Sequence, residues 1–151
     1  MAAIFLDTSA IVRRYDPTEP GAALVRALCS RAAGHTLWLA SLTSVEVASA
    51  LNRKIRDGSL SVYERNGKWR LFRFHWRHQY TIHDLDAGTY RSAERLLFQY
   101  PLRAFDAVHV AAALVVRRRF GSRAVDFCFC TADERQRRAA EAEGLTVEFI
   151  A

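Results

Sequence analysis

The chain has 151 residues, half of them hydrophobic and a quarter charged, with a formal net charge of +6. That size and balance suit one globular domain, residues 1–151, with a core large enough to need neither disulfides nor a structural metal, and they exclude long disorder. The longest apolar stretch, Ala107 to Val116, is too short to cross a bilayer, and no basic region of a secretory signal precedes Asp7, so a cytoplasmic protein without a membrane partner is expected.

Ala3-Ile4-Phe5-Leu6 is a short apolar run that stops at Asp7 and two hydroxyls, Thr8 and Ser9. Such a run reads as a strand buried on both faces, as in parallel sheets, with Asp7 leaving the core at its carboxyl end. Open α/β sheets place their ligand sites there. Ser9 to Tyr15 predicts a short helix, Asp16 to Gly21 a turn cluster, and Ala22 to Ala33 a helix closed by Gly34. Thr36 to Ala40 predicts a second strand. Ser44 to Arg56 predicts a helix with Val45, Ala48, Leu51 and Ile55 on one face, stopped at Asp57-Gly58.

Leu60 to Gln79 predicts a basic helix, weakest at Asn66-Gly67. Trp69, Phe72 and Trp76 share one face of it, and Arg70, Arg73 and Arg77 a neighbouring one. Tyr80 to Ile82 predicts a third strand, and Asp86 to Tyr100 a helix stopped by Pro101. Arg103 to Arg119 predicts the most apolar helix, with three arginines at its negative end, before a break at Gly121-Ser122. Val125 to Cys130, Asp133 to Glu143 and Thr146 to Ile150 predict a strand, a helix and a last strand. Strands alternating with helices imply an α/β fold with a parallel sheet.

Four acids invite two readings. Asp7 is placed to cap the short helix after it, and Asp106 lies in the first turn of its helix, where negative charge suits the dipole. Thr43-Ser44-Val45-Glu46 and Thr131-Ala132-Asp133-Glu134 both fit a T-x-x-E capping box. Yet Asp7, Glu46 and Asp133 each follow a predicted strand closely, and the ends of parallel strands gather along one rim. Carboxylates crowded there repel one another unless a cation neutralises them. An all-oxygen donor set suits magnesium or manganese, and such an ion can activate water against a phosphodiester. Asp106 follows no strand, so the pattern alone does not place it at the rim.

L-D-T-S-A-I-V-R-R-Y (Leu6 to Tyr15), S-V-E-V-A-S-A-L (Ser44 to Leu51), F-D-A-V-H-V-A-A-A (Phe105 to Ala113) and C-T-A-D (Cys130 to Asp133) resemble the signature blocks of PIN-domain ribonucleases. Within that family the likeness is to the VapC toxins of bacterial toxin–antitoxin pairs, and the blocks stand in family order over almost the whole chain. The resemblance implies a five-stranded parallel sheet flanked by helices, and Asp7, Glu46, Asp106 and Asp133 as catalytic ligands of Mg2+ or Mn2+. It implies Ser9 and Thr131 as hydroxyls supporting those acids. It also implies hydrolysis of RNA by metal-activated water to a 5′-phosphate and a 3′-hydroxyl, a homodimer, and inhibition by a small cognate antitoxin. One departure is a long gap from Asp106 to Asp133, in which residues 117–123 look inserted; Asp126 is the substitute ligand it raises, at the wrong end of its strand.

Other residues have plainer readings. His109, one turn after Asp106, reads as a hydrogen-bonded core histidine rather than a ligand or base. His75, His78 and His83 form no ligand or triad pattern, and Thr8 and Ser9 serve the turn at Asp7. Nearly all the positive charge is arginine, the only lysines being Lys54 and Lys68, which suits a polyanionic partner or a GC-rich genome. Arg70, Arg73 and Arg77 are either contacts for RNA or antitoxin or the solvated side of their helix, and the tryptophan face is either core or a groove for a partner helix. Three cysteines without metal-type spacing give no disulfide framework; Cys128 and Cys130 alternate on one strand as small core residues.

These readings favour a metal-dependent endoribonuclease. A catalytically inactive RNA- or antitoxin-binding module is the alternative, disfavoured by four retained acids. A phosphatase ranks last, because Asp7-Thr8-Ser9 lacks the second aspartate of a D-x-D motif.

Overall fold

A computed structural model describes residues 2–121 and 126–150. Five strands form one wholly parallel sheet: β1 (Ala2–Leu6), β2 (Thr36–Ala40), β3 (Tyr80–His83), β4 (Asp126–Thr131) and β5 (Val147–Phe149), in the order β3-β2-β1-β4-β5. The helices are α1 (Thr8–Ile11, continued as a 3-10 turn Val12–Arg14), α2 (Ala22–Leu28), α3 (Thr43–Arg56), α4 (Val62–His78), α5 (Ala87–Gln99), α6 (Ala104–Arg119) and α7 (Glu134–Ala142). The fold class is the expected one. Among the described residues, no helix is long and apolar enough to cross a membrane.

Side chains alternate along a strand, so β1 feeds two cores. Ala3 and Phe5 join Leu96 of α5, the alanine-rich stretch of α6 and Phe129 of β4. Ile4 and Leu6 face the other way, with Ile11, Val25, Val47, Leu51 and Phe72 from the first four helices. This explains a β1 and an α6 that are apolar all round: both lie between layers. The strand order reverses between β1 and β4, so their adjacent carboxyl ends open the crevice where such sheets bind ligands. Asp7 N donates there to Cys130 O at 3.1 Å.

Local chemistry accounts for the departures from the expected elements. The helix expected over Ala22 to Ala33 stops at Leu28, because Ser30 is extended and its hydroxyl accepts from Ala33 N, capping a separate 3-10 turn. In α3 the inward residues are Thr43, Val47 and Leu51, while Val45 is 71% exposed, so the buried stripe is rotated from the expected Val45–Ala48–Leu51–Ile55 face. Helix α4 runs unbroken through Asn66-Gly67, held by tertiary packing rather than propensity. Phe72 is wholly buried and meets Tyr15 edge-on at 5.6 Å and Trp69 in a stack at 5.4 Å, so Phe72 is core, with Trp69 and Trp76 half-buried against it. Arg117, Arg118 and Arg119 form the last turn of α6. Ser122, Arg123 and Val125, expected in the break, the insertion and the start of the fourth strand, lie outside the described residues. All three cysteines are free, with Cys29 and Cys130 buried and Cys128 half-buried.

Candidate active site

Asp7, Glu46, Asp106 and Asp133 line one open cavity of about 530 Å³ at the carboxyl rim of the sheet. Asp7 follows β1 and is wholly buried. Glu46 arrives on the first turn of α3, Asp106 on the first turn of α6, and Asp133 directly before α7. Asp106 reaches the rim because α6 begins there, directly after the short connection 100–103 from α5. Asp126 stands at the opposite, amino end of β4, paired with Ala2, and lines no part of this cavity.

Capping and cavity lining are not exclusive. Asp7 caps α1, accepting from Ala10 N at 2.9 Å, and Asp133 caps α7, accepting from Gln136 N at 2.9 Å. Glu46 caps nothing. Leu42, already helical at φ −66°, takes the N-cap position and places Thr43 inside the helix, so the T-x-x-E box there does not form. The Glu46 carboxylate instead accepts from Thr8 Oγ1 at 2.8 Å and from His109 Nε2 at 2.6 Å, both on Oε1.

Hydroxyls and an amide tie the acids together. Ser9 Oγ lies 2.8 Å from both oxygens of Asp7, and Thr131 Oγ1 donates to Asp7 Oδ2 at 2.8 Å. Thr131 Oγ1 in turn accepts from Asp133 N at 3.0 Å, and Ser9 Oγ from Ala132 N at 2.9 Å. Gln136 Nε2 donates to Asp106 Oδ1 at 3.1 Å while its backbone amide serves Asp133. His109 is therefore both the core histidine expected and a wall of the cavity. Gln136, Arg53 and Arg103 also line it, and sequence reasoning missed them. The available signal was position: Gln136 lies three residues beyond Asp133, where a capping aspartate points its helix.

Burial and neighbouring charge shift the acids of the cavity in different directions. Burial drives the Asp7 carboxyl above the ordinary carboxylate range, against the His109 charge and the bonds from Ser9, Ala10 and Thr131. Burial, then the neighbouring Asp133 charge, raises Asp106 as well. Burial also opposes ionisation of Glu46, but the hydrogen bond and charge of His109 and the bond from Thr8 bring it below its usual value. Among the described residues, no three acidic, histidine or cysteine side chains converge closely enough to ligate one ion as they stand.

Arg70, Arg73 and Arg77 lie on α4 and line a separate groove with Trp69 and Phe74. The Arg73 guanidinium sits 5.9 Å from the ring centres of both Trp69 and Trp76. His83 is buried and bonded to Thr89, and His75 to Tyr15; neither lines the acidic cavity.

Solved structures of similar fold include VapBC2 from Rickettsia felis bound to a DNA fragment from its promoter, at 14% identity and TM-score 0.65, covering 97% of this chain and 98% of that one. FitAcB from Neisseria gonorrhoeae is similar at 14% identity and TM-score 0.61, with 95% of each chain covered. FitAB bound to an IR36 DNA fragment is similar at 16% identity and TM-score 0.63, over 97% of this chain and 94% of that one. At such identities the likeness shows the fold alone. No protein of curated function matches the sequence significantly. The sequence profile of the PIN domain matches residues 4–142, a span that carries most of both cores and all four acids of the cavity, and the chain belongs to the PIN domain family, whose members are generally nucleases.

Proposed function

We propose that the protein is a metal-dependent endoribonuclease and the toxin of a toxin–antitoxin pair. The observation that carries this reading is the meeting of Asp7, Glu46, Asp106 and Asp133, from four separate segments, in one cavity. Their donors are hard oxygens, which suit Mg2+ or Mn2+, and a dication would offset the cost that burial places on ionising Asp7 and Asp106. When bound, such an ion supplies a nucleophilic water at neutral pH and charge neutralisation at a phosphodiester.

The chain's own residues do the rest. Ser9 and Thr131 hold the Asp7 carboxylate in one orientation. Arg53 and Arg103 border the cavity and offer positive charge to an RNA phosphate that the acids alone would repel. Arg70, Arg73 and Arg77 lie outside it and extend the basic surface to RNA or an acidic antitoxin segment. Two of the similar structures hold VapBC2 and FitAB on DNA, which supports a small cognate antitoxin as the partner of this chain; a homodimer is the assembly that the sequence resemblance implies. Its substrate and partner place it in the cytoplasm.

The test is cleavage of total RNA with mapping of the ends. Mn2+- or Mg2+-dependent cuts bearing 5′-phosphates, abolished by EDTA and by Asp7→Asn or Asp106→Asn, are expected. Activity persisting in both substitutions overturns the reading. A non-catalytic RNA-binding module is the second reading, favoured by the absence of a ready three-ligand cluster among the described residues. It predicts salt-sensitive RNA binding without turnover.

A further inference from the structure

Two non-acidic polar side chains, His109 and Gln136, are built into the cavity wall at 1% and 3% exposure. Each gives one N–H to one oxygen of a carboxylate: His109 Nε2 to Glu46 Oε1, and Gln136 Nε2 to Asp106 Oδ1. Thr8 Oγ1 adds a second donor to the same Glu46 oxygen. Among the described residues, no side chain donates to Glu46 Oε2 or Asp106 Oδ2, and the Asp106 carboxylate also takes a backbone bond from Arg103. On both acids, then, the side-chain donors hold one oxygen and leave the other to the cavity.

The far atom of each donor is orphaned. His109 Nδ1 and Gln136 Oε1 are buried with no partner. A buried unpaired polar atom costs free energy that an apolar side chain of similar shape avoids, so packing does not account for these residues. A carboxylate oxygen only accepts, so the Nε2 that faces Glu46 Oε1 carries hydrogen.

We propose that His109 and Gln136 are positioning residues that pin Glu46 and Asp106 by one oxygen each, so that each acid meets a divalent ion through its other oxygen alone. This rests on the metal-dependent reading above. The consequence is ion selectivity. Magnesium-like ions demand near-octahedral geometry with single oxygens and retained waters, whereas calcium accepts bidentate carboxylates in looser shells. Pinned acids favour the first class and deny calcium its second oxygen.

Titration calorimetry of the metal-free protein with MnCl2 and CaCl2 tests this in wild type, His109→Leu, His109→Gln and Gln136→Leu. Mn2+ affinity should fall about tenfold in the two leucine variants, the usual scale for losing a partner behind a metal ligand. Ca2+ affinity should fall less, narrowing the Mn2+/Ca2+ ratio. His109→Gln, which keeps an N–H near the Nε2 position, should recover most of the Mn2+ affinity. Leucine variants with wild-type affinities and ratio overturn the proposal. So does equal loss of both ions with no rescue by His109→Gln, which marks a merely structural role. If His109→Leu does not fold, Gln136→Leu decides on the same criteria. Wild type binding neither ion overturns the metal reading and this proposal with it. The 15N shifts of His109 in the metal-free protein separate the two: a proton on Nε2 is expected, and an unprotonated Nε2 overturns the pinning while leaving the nuclease reading standing.

Discussion

Thr131 Oγ1 donates to Asp7 Oδ2 at 2.8 Å, joining residues 124 apart in sequence across the ends of β4 and β1. The same oxygen accepts from Asp133 N, so one hydroxyl links the most buried acid to the rim. Thr131→Val keeps the shape and deletes both bonds. Leaving buried groups unpaired costs about 1–3 kcal/mol, so the urea midpoint should fall with the slope unchanged, and RNA cleavage should fall with it. An unchanged midpoint would show that the bond does not hold Asp7.

Asp7 links stability to pH, and under the proposed metal-dependent reading it links stability to the ion as well. Burial raises its folded pKa above 3.8, so the stability it contributes is complete below pH 3.8 and is lost as pH rises through the raised value. At pH 7 the metal-free protein bears that cost. Millimolar Mn2+ should raise its melting temperature, by an amount equivalent to about 2.7 kcal/mol at one hundred times the dissociation constant. Metal-free Asp7→Asn should melt at or above wild type and lose the Mn2+ response. An equal Mn2+ shift in both proteins would place the ion elsewhere.

His75, on α4 and outside the acidic cavity, links stability to acid pH. Burial, then the charges of Arg14 and Arg31, lower its pKa from 6.5 to about 4. Arg14 donates to Nε2, so Nδ1 carries the proton and donates to the Tyr15 hydroxyl. The neutral ring is favoured only when folded, so stability is lost as pH falls from 6.5 through 4. Urea unfolding at pH 7 and pH 5 should show a drop in wild type that is smaller in His75→Asn. Equal drops would assign the acid sensitivity to other groups.

Phe72 tests the packing of α4. It is wholly buried among Tyr15, Trp69, Trp76 and Tyr80, so Phe72→Ala should cost about 3–5 kcal/mol, while Phe72→Leu should cost much less. Chemical denaturation reads the difference. A small loss in Phe72→Ala would mean that the aromatic face is a surface groove after all.

Particular residues show where sequence reasoning reached its limit. The arrest of Ala3 to Leu6 at Asp7 was legible because strand burial is a local pattern. Val45 was placed on the wrong face because α3 carries small apolar residues on several sides, and which stripe turns inward is set by what it packs against. Glu46 looked like half of a capping box, yet Leu42 is already helical and leaves that box without its N-cap geometry. The long gap from Asp106 to Asp133, which raises Asp126 as a substitute, is absorbed in part by the length of α6.

The sequence by itself determined the alternation of strands and helices, the parallel sheet and the family, because apolar period, turn residues and short blocks are written along the chain. Only the tertiary structure decided that Asp106 joins the rim, that Asp126 does not, and that His109 and Gln136 each hold one oxygen of an acid. Those are relations between side chains brought close by sheet order and helix phase, and no stretch of chain encodes them alone.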